Sequence, residues 1–193
     1  MARQNFEAVL KKHRMRHLAE FKRSIKGVGR DSGFVVDFSD EWILLHTADI
    51  DTFAMNGYTA VRDEDVSEYR FFDKAAYWQH RAVANSGLRG VRPAGVSVRS
   101  LEDLLTTASQ RFTLVTIHRE RRNPDVCYIG PVIAITGKTV TIEDLNCNAE
   151  WSGPRRINLR DITRIDFDGG YERALKATAP KVPNSAEANR RRH

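Results

Sequence analysis

Nowhere in the sequence does an apolar run approach the roughly 20 residues needed for a helix to cross a bilayer, and the N-terminal segment carries no apolar signal core. The expectation is a soluble, cytoplasmic protein with no membrane association. Cysteine is scarce, and neither Cys127 nor Cys147 stands in a CxxC motif or a histidine-rich spacing. Both read as free thiols in a reducing compartment rather than as parts of a disulfide or zinc framework. The chain also lacks a Walker loop, a Gly-x-Ser-x-Gly elbow and a His-Glu-x-x-His helix. Those are the local signatures of nucleotide hydrolysis, serine hydrolases and zinc proteases, so the expectation is a protein that is not an enzyme and has no cofactor or metal.

What is present is enough apolar material for a core, 41% of the 193 residues, and a charge that is unevenly spread. The net +6 conceals a polarity: residues 1–30 carry nine Lys/Arg against two Asp/Glu, whereas residues 31–72 carry ten Asp/Glu against two arginines. The C-terminal residues 176–193 are basic again, with five Lys/Arg and one acid. Such ends suit either an anionic partner or self-association with the acidic segment.

Two stretches share a pattern. Gly33 opens Phe34-Val35-Val36 and Gly130 opens Pro131-Val132-Ile133; a polar turn follows each, Asp40-Glu41 and Gly137-Lys138. Trp42 to Leu45 then stands at the offset of Thr139 to Ile142, and Val61-Arg62 with Asp65 to Phe71 aligns with Leu159-Arg160-Asp161 to Phe167. Self-similarity at a fixed spacing points to repeated architecture. Leu114 to Phe167 reads as five short strands, so the expected fold is mainly β with flanking helices: two tandem five-stranded small β-barrels, each with a short helix.

The expected organisation has a basic amphipathic helix in residues 1–30, a first barrel plus helix in 31–85 and a linker in 86–99. Residues 100–177 hold a helix, the second barrel and a short helix, and 178–193 form a disordered basic tail. Phe6 to Ile25 fits one helix at about 100° per residue. Asp73 caps a second helix, Lys74 to Asn85, which buries Tyr77 and Val83 and is closed by Gly87. Leu101, Leu104, Leu105, Ala108 and Phe112 make one face of a third, preceded by the capping pair Ser100 and Asp103. Pro131 cannot donate to a ladder, so its strand must lie at an edge or carry a bulge.

Several polar groups invite chemical readings. His13 and His17 are four apart, but the residue after the first is Arg14 and nearby cations oppose a divalent ion, so they read as partly buried neutral imidazoles. Asp49, Asp51 and the run Asp63-Glu64-Asp65 lack a calcium-loop register and read as turn carboxylates. The Arg/Gly segment from Ser86 to Arg99 carries alternating valines and reads as a packed, extended linker.

A helix, then strands of apolar alternation, then an apolar-Arg-Asp turn into a last strand resembles the Sm-like (LSm/Hfq) small barrel, a relative of the SH3-like barrel. The resemblance covers Leu101 to Phe167 and, less closely, Gly33 to Phe72. It implies a helix capping a bent five-stranded barrel, and it implies single-stranded RNA as ligand, since many members bind RNA as rings. The family's apolar-Arg-Gly turn, whose arginine helps hold a nucleotide, corresponds to Arg160 after Leu159 and Arg62 after Val61. Asp161 and Asp63 stand here in place of the glycine, where an acid repels phosphate. The family's Asp and Asn flanking the turn between strands two and three are absent at Gly137-Lys138 and half present at Asp40.

Two functions stay open at this point, with an enzyme whose active site is assembled from distant residues as the least favoured third reading. One is binding of RNA or another polyanion through Arg62, Arg160, Lys138, the loop residues Trp151, Arg155 and Arg156, and Lys11, Lys12 and Arg16 of the basic helix, with rings stacking on bases and cations meeting phosphates. The other is docking of a protein partner through barrel edges or the first helix, without nucleic acid. Trp151 has a structural reading too, as a loop anchor packed on the barrel.

Overall fold

The computed structural model describes residues 3–183. The expected disordered tail, with Arg190, Arg191 and Arg192, lies mostly outside them. The architecture is mainly β, with eleven strands and four α-helices among the described residues. None of these helices is long and apolar enough to cross a membrane. The chain divides into two compact units, Met1–Ala94 with Val98–Ser100, and Gly95–Ser97 with Leu101–His193.

The first unit opens with α1 (Arg3–His13), which ends where Met15 takes a φ of 59°. A non-glycine residue adopts that left-handed conformation at a cost of about 1–2 kcal/mol. The Met15 N–H donates to the Val35 carbonyl at 2.8 Å, and the chain turns into β1 (Leu18–Arg23). The single helix expected from Phe6 to Ile25 is therefore a helix followed by a strand. Leu18, Phe21 and Ile25 recur at helical spacing, but Ala19, Phe21 and Arg23 also alternate inward while Lys22 stays outside. A short apolar run satisfies both periods.

Next come β2 (Arg30–Phe38), β3 (Trp42–Asp49), β4 (Ala54–Arg62), the 3₁₀ turn Asp63–Asp65 and β5 (Val66–Phe71). Within this unit the strands lie in the order β5-β1-β2-β3-β4, all antiparallel. Phe21, Val35, Ile43, Leu45 and Val61 form the core with Leu10 of α1, and Phe6 and Val9 pack on it. Each fully buried large side chain there contributes about 1.5–3 kcal/mol.

Helix α2 (Trp78–Ser86) starts four residues later than expected, with Tyr77 rather than Asp73 at its N-cap. It buries none of its residues, and Trp78 is 51% exposed. Gly87 does close it, at φ 68°. Beyond it, Val96 and Val98 are buried, as a packed extended segment requires.

The second unit begins with α3 (Leu101–Phe112), whose Leu101, Leu104, Leu105 and Ala108 are buried as the heptad-like spacing predicts. It is followed by β6 (Val115–His118), β7 (Cys127–Gly130), β8 (Val132–Thr136), β9 (Thr139–Leu145) and β10 (Trp151–Asn158). The 3₁₀ turn Leu159–Asp161, β11 (Arg164–Phe167) and α4 (Gly170–Thr178) complete it. The strands form two sets, β11-β6-β7 and β10-β9-β8. Six strands stand where five were expected, because Pro131 has no N–H and interrupts the ladder between β7 and β8. The Pro131 carbonyl still accepts the Glu143 N–H at 3.1 Å, and the register shifts between Val132 and Ala134.

The sheets are open, which corrects the expectation of closed barrels. Within the first unit β5 pairs with β1 and the order runs out to β4 at the other end. β5 is only six residues long, and its exposed positions Ser67, Glu68 and Arg70 give it little apolar surface with which to seal a cylinder.

Candidate functional site

One end of the second unit gathers basic residues that are far apart in sequence. β8 and β9 are joined by Gly137-Lys138, where Gly137 supplies a φ of 58° that a tight turn needs. The Lys138 carbonyl accepts the Leu159 N–H at 2.9 Å, which fixes this turn beside the 3₁₀ turn that carries Arg160. Register extends the patch. Thr139 pairs with Asn158 and Thr141 with Arg156 on one side, and with Thr136 and Ala134 on the other. Side chains of directly opposite residues share a face, so Arg156 and Asn158 stand over a row of threonines. That face offers hydroxyls and amides, with Lys138 and the 80%-exposed Arg160 at its end.

The aspartate that departs from the Sm-like pattern is compensated. Arg122, from the turn after β6, places its Nε 3.0 Å from the Asp161 carboxylate, and Arg160 lies 3.8 Å from the other oxygen. A carboxylate held by a guanidinium repels phosphate much less than a bare one.

The opposite face of β10 does different work. The Arg155 guanidinium lies 4.5 Å from the Tyr128 ring centroid, and that of Arg119 lies 4.7 Å from it. Cation–π contacts of this kind contribute about 0.5–1 kcal/mol at exposed sites. Arg155 also pairs with Asp144 at 2.7 Å. Trp151 packs against Leu114, Ile129 and Leu175 and donates its indole N–H to the Pro180 carbonyl at 3.0 Å, so it anchors its loop.

In the first unit most of the N-terminal basic charge is answered internally. Arg23 and Asp31 form a buried ion pair at 2.7 Å, Lys22 and Arg30 meet Glu68 and Glu20, and Asp37 accepts both Arg14 and Arg92. Arg62 stacks over Trp42 at 4.8 Å and Lys11 pairs with Glu7 at 2.7 Å. Lys12 is exposed, and Arg16 lines a cavity. The structure thus brings Lys138, Arg156 and Arg160 into one patch, and commits Arg62, Arg155 and Trp151 to packing.

His13 is buried and its ring stacks on Phe71 at 4.4 Å. Burial lowers its pKa and that of His17, against the raising influence of Asp73. Among the described residues no three His, Cys, Asp or Glu side chains are placed to hold a metal. Asp49 accepts the backbone N–H groups of Asp51 and Thr52, the turn role its residue type suggests.

A second polar cluster lies on β6, β7 and β11. His118 Nε2 bonds to Asp166 at 2.8 Å, and Cys127 is the cross-strand partner of His118. Burial alone would raise the Asp166 carboxyl, but Arg164 and His118 hold it well below the usual carboxylate range. Partial desolvation of its sulfur, then Asp166 and Glu172, push the Cys127 thiol up. A nucleophilic cysteine has the opposite shift. Both cysteines are free and exposed.

Residue types alone did not reveal Arg122 as a member of the basic end, nor Arg119 and Tyr128 as partners on the opposite face of β10. The run Arg119-Glu120-Arg121-Arg122 was the available signal, but its partner Asp161 is about forty residues away in sequence. No protein-family model, curated protein or solved structure matches this chain.

Proposed function

We propose that this chain is a non-enzymatic, cytoplasmic binding protein in which one kind of small β-unit, related to the Sm-like and SH3-like barrels, is written twice, and that its second unit binds single-stranded RNA. The observation that carries the RNA reading is the Lys138 to Leu159 backbone bond, which sets a lysine turn against Arg160 while Arg122 offsets Asp161. Arg156 and the threonine row extend the surface. Cations at the rim neutralise phosphates, and neutral hydroxyls within accept and donate to sugar and base edges.

The repeat reading rests on three likenesses. Each unit has a helix before its strands, a 3₁₀ turn before its last strand, and a glycine at the same place in its second strand. A Cβ at Gly33 would collide with the His46 carbonyl, and one at Gly130 with the Glu143 carbonyl. Each last strand also pairs with the first strand of its unit.

The RNA reading is tested by fluorescence anisotropy with a labelled single-stranded oligonucleotide. Three phosphate contacts at a slope of about −0.7 each give an affinity loss of about 20-fold between 50 and 200 mM salt. The triple variant Lys138→Ala, Arg156→Ala, Arg160→Ala flattens that dependence. Absence of binding by the unaltered chain at 50 mM salt refutes the reading. The alternative, a protein partner, is favoured by β8, which ends its three-stranded set and exposes Ile133 by 51%. It predicts a stoichiometric protein that stays bound at high salt, with no nucleic-acid absorbance.

A further inference from the structure

The first unit contains a cavity of about 350 Å³, within the range of about 300–1,000 Å³ that ligand pockets occupy. Its walls come from the turn after α1, from β1 and Phe72, and from α2 with the segment that follows Gly87. Leu18, Phe72, Val83 and Leu88 provide an apolar floor. Four polar side chains complete the lining: Arg16, Arg89, His17 and His80.

Two features set this cavity apart from an accidental groove. The first is charge. Arg14 and Arg92, neighbours in sequence of the two lining arginines, are both spent on Asp37. Arg16 and Arg89 have no ion pair among the described residues. The nearest carboxylate influence is that of Asp73, which lies 3.9 Å from His13 Nε2 and acts on both His13 and His17. The second is conformation. Met15 lines the cavity at a φ of 59° with 42% of its surface exposed, so an apolar side chain is held in a strained backbone facing open space. Strain of this type collects at ligand-binding positions.

The imidazoles are placed for hydrogen bonding. His80 Nδ1 lies 3.0 Å from the Phe72 carbonyl and donates there, which turns Nε2 away from that bond. His17 and His80 lie roughly parallel, 6.4 Å between centroids. Burial, with the nearby cations Lys12 and Arg16, favours the neutral form of His17.

We propose that this cavity binds a small anion of the nucleoside monophosphate class, its planar base on the apolar floor beside His80 and its phosphate met by Arg16 and Arg89. An apolar floor, an imidazole and two unpaired guanidiniums are what such a ligand requires together. The proposal is independent of RNA binding by the second unit.

The experiment is calorimetric titration of the full chain with AMP, GMP, CMP and UMP, and with adenosine and inorganic phosphate as the two halves of the ligand. At least one monophosphate binds, and each half binds at least about tenfold more weakly. Arg16→Ala and Arg89→Ala each weaken binding roughly tenfold, the worth of a charged hydrogen bond. Ala84→Trp, which fills the cavity from its exposed lip, abolishes binding with the melting temperature unchanged. The Lys138, Arg156 and Arg160 triple variant keeps monophosphate binding whatever it does to RNA. Failure of all four monophosphates at millimolar concentration, equal binding of adenosine and AMP, or full binding by Ala84→Trp each overturns the proposal.

Discussion

The second strand of each unit passes a glycine pressed against a carbonyl of a later strand, Gly33 on His46 of β3 and Gly130 on Glu143 of β9, and the two units then part company. In the first unit β2 continues unbroken from Arg30 to Phe38, and its register slips only between Val35 and Asp37. In the second, Pro131 follows Gly130 at once, and the same stretch becomes two strands that belong to different sets. One imino acid therefore separates a continuous ladder from a divided one. The division leaves β8, β9 and β10 as a separate three-stranded set, the one that carries the proposed RNA face. The first unit, by contrast, gathers its open space beside α2.

The units also differ in what they bury. The first holds Arg23 and Asp31 as a buried ion pair, with side chains 1% and 5% exposed. The second places carboxylates on threonine hydroxyls, Glu172 on Thr116 and Glu120 on Thr163. The largest expected effect follows from the ion pair. Asp31→Ala removes a carboxylate from a buried guanidinium and costs about 3–5 kcal/mol, read from the urea midpoint. A cost under about 1 kcal/mol would show that the other neighbours of Arg23 hold its charge. Thr116→Val comes next, because it leaves a buried carboxylate without one of its donors. The cost is about 1–3 kcal/mol, and equality with Asp31→Ala would erase the contrast between the units.

Pro131→Ala sharpens the comparison itself. It restores an N–H and loosens the unfolded chain, so it costs about 0.4–1 kcal/mol, and hydrogen exchange at residues 130–133 shows whether β7 and β8 now join. A gain in stability would mean that the break is imposed on the sheet rather than accommodated by it. The smallest effect is in pH. His13 and His17 have folded-state pKa values below their unfolded value near 6.5, so the unfolded chain binds the extra protons first. Stability is full above about pH 6.5 and declines as pH falls through the lowered values. Thermal melts of His13→Gln between pH 7.5 and 5 are flatter than those of the unaltered chain. Asp166 works in a separate, more acidic window: its depressed pKa adds stability above about pH 4 that is lost as pH falls toward the folded value.

Much of the second unit was legible in sequence. Leu101, Leu104, Leu105 and Ala108 repeat on one helical face, and Pro131 points to an edge or a bulge, although not to the split into β7 and β8. The join between α1 and β1 was not, because Leu18, Phe21 and Ile25 fit a helix until Met15 is seen to turn the backbone. Asp73 looks like a helix cap, yet the chain delays α2 until Tyr77. Openness of the sheets depends on how β5 sits relative to β4, which no local pattern encodes. For the basic end, Lys138 and Arg160 could be named singly, but the bond between their turns and the Arg122 to Asp161 pair arise only in three dimensions. Arg89 and His80 carried no signal as cavity residues, since each sits among ordinary linker or helix positions.

The most direct test of the account is amide chemical-shift mapping of the full chain during titration with single-stranded RNA at low salt. Perturbations are expected at Lys138, Thr139, Thr141 and residues 156–160, fading together as salt is raised. Perturbations confined to α1 and β5, or no perturbation anywhere, would contradict it.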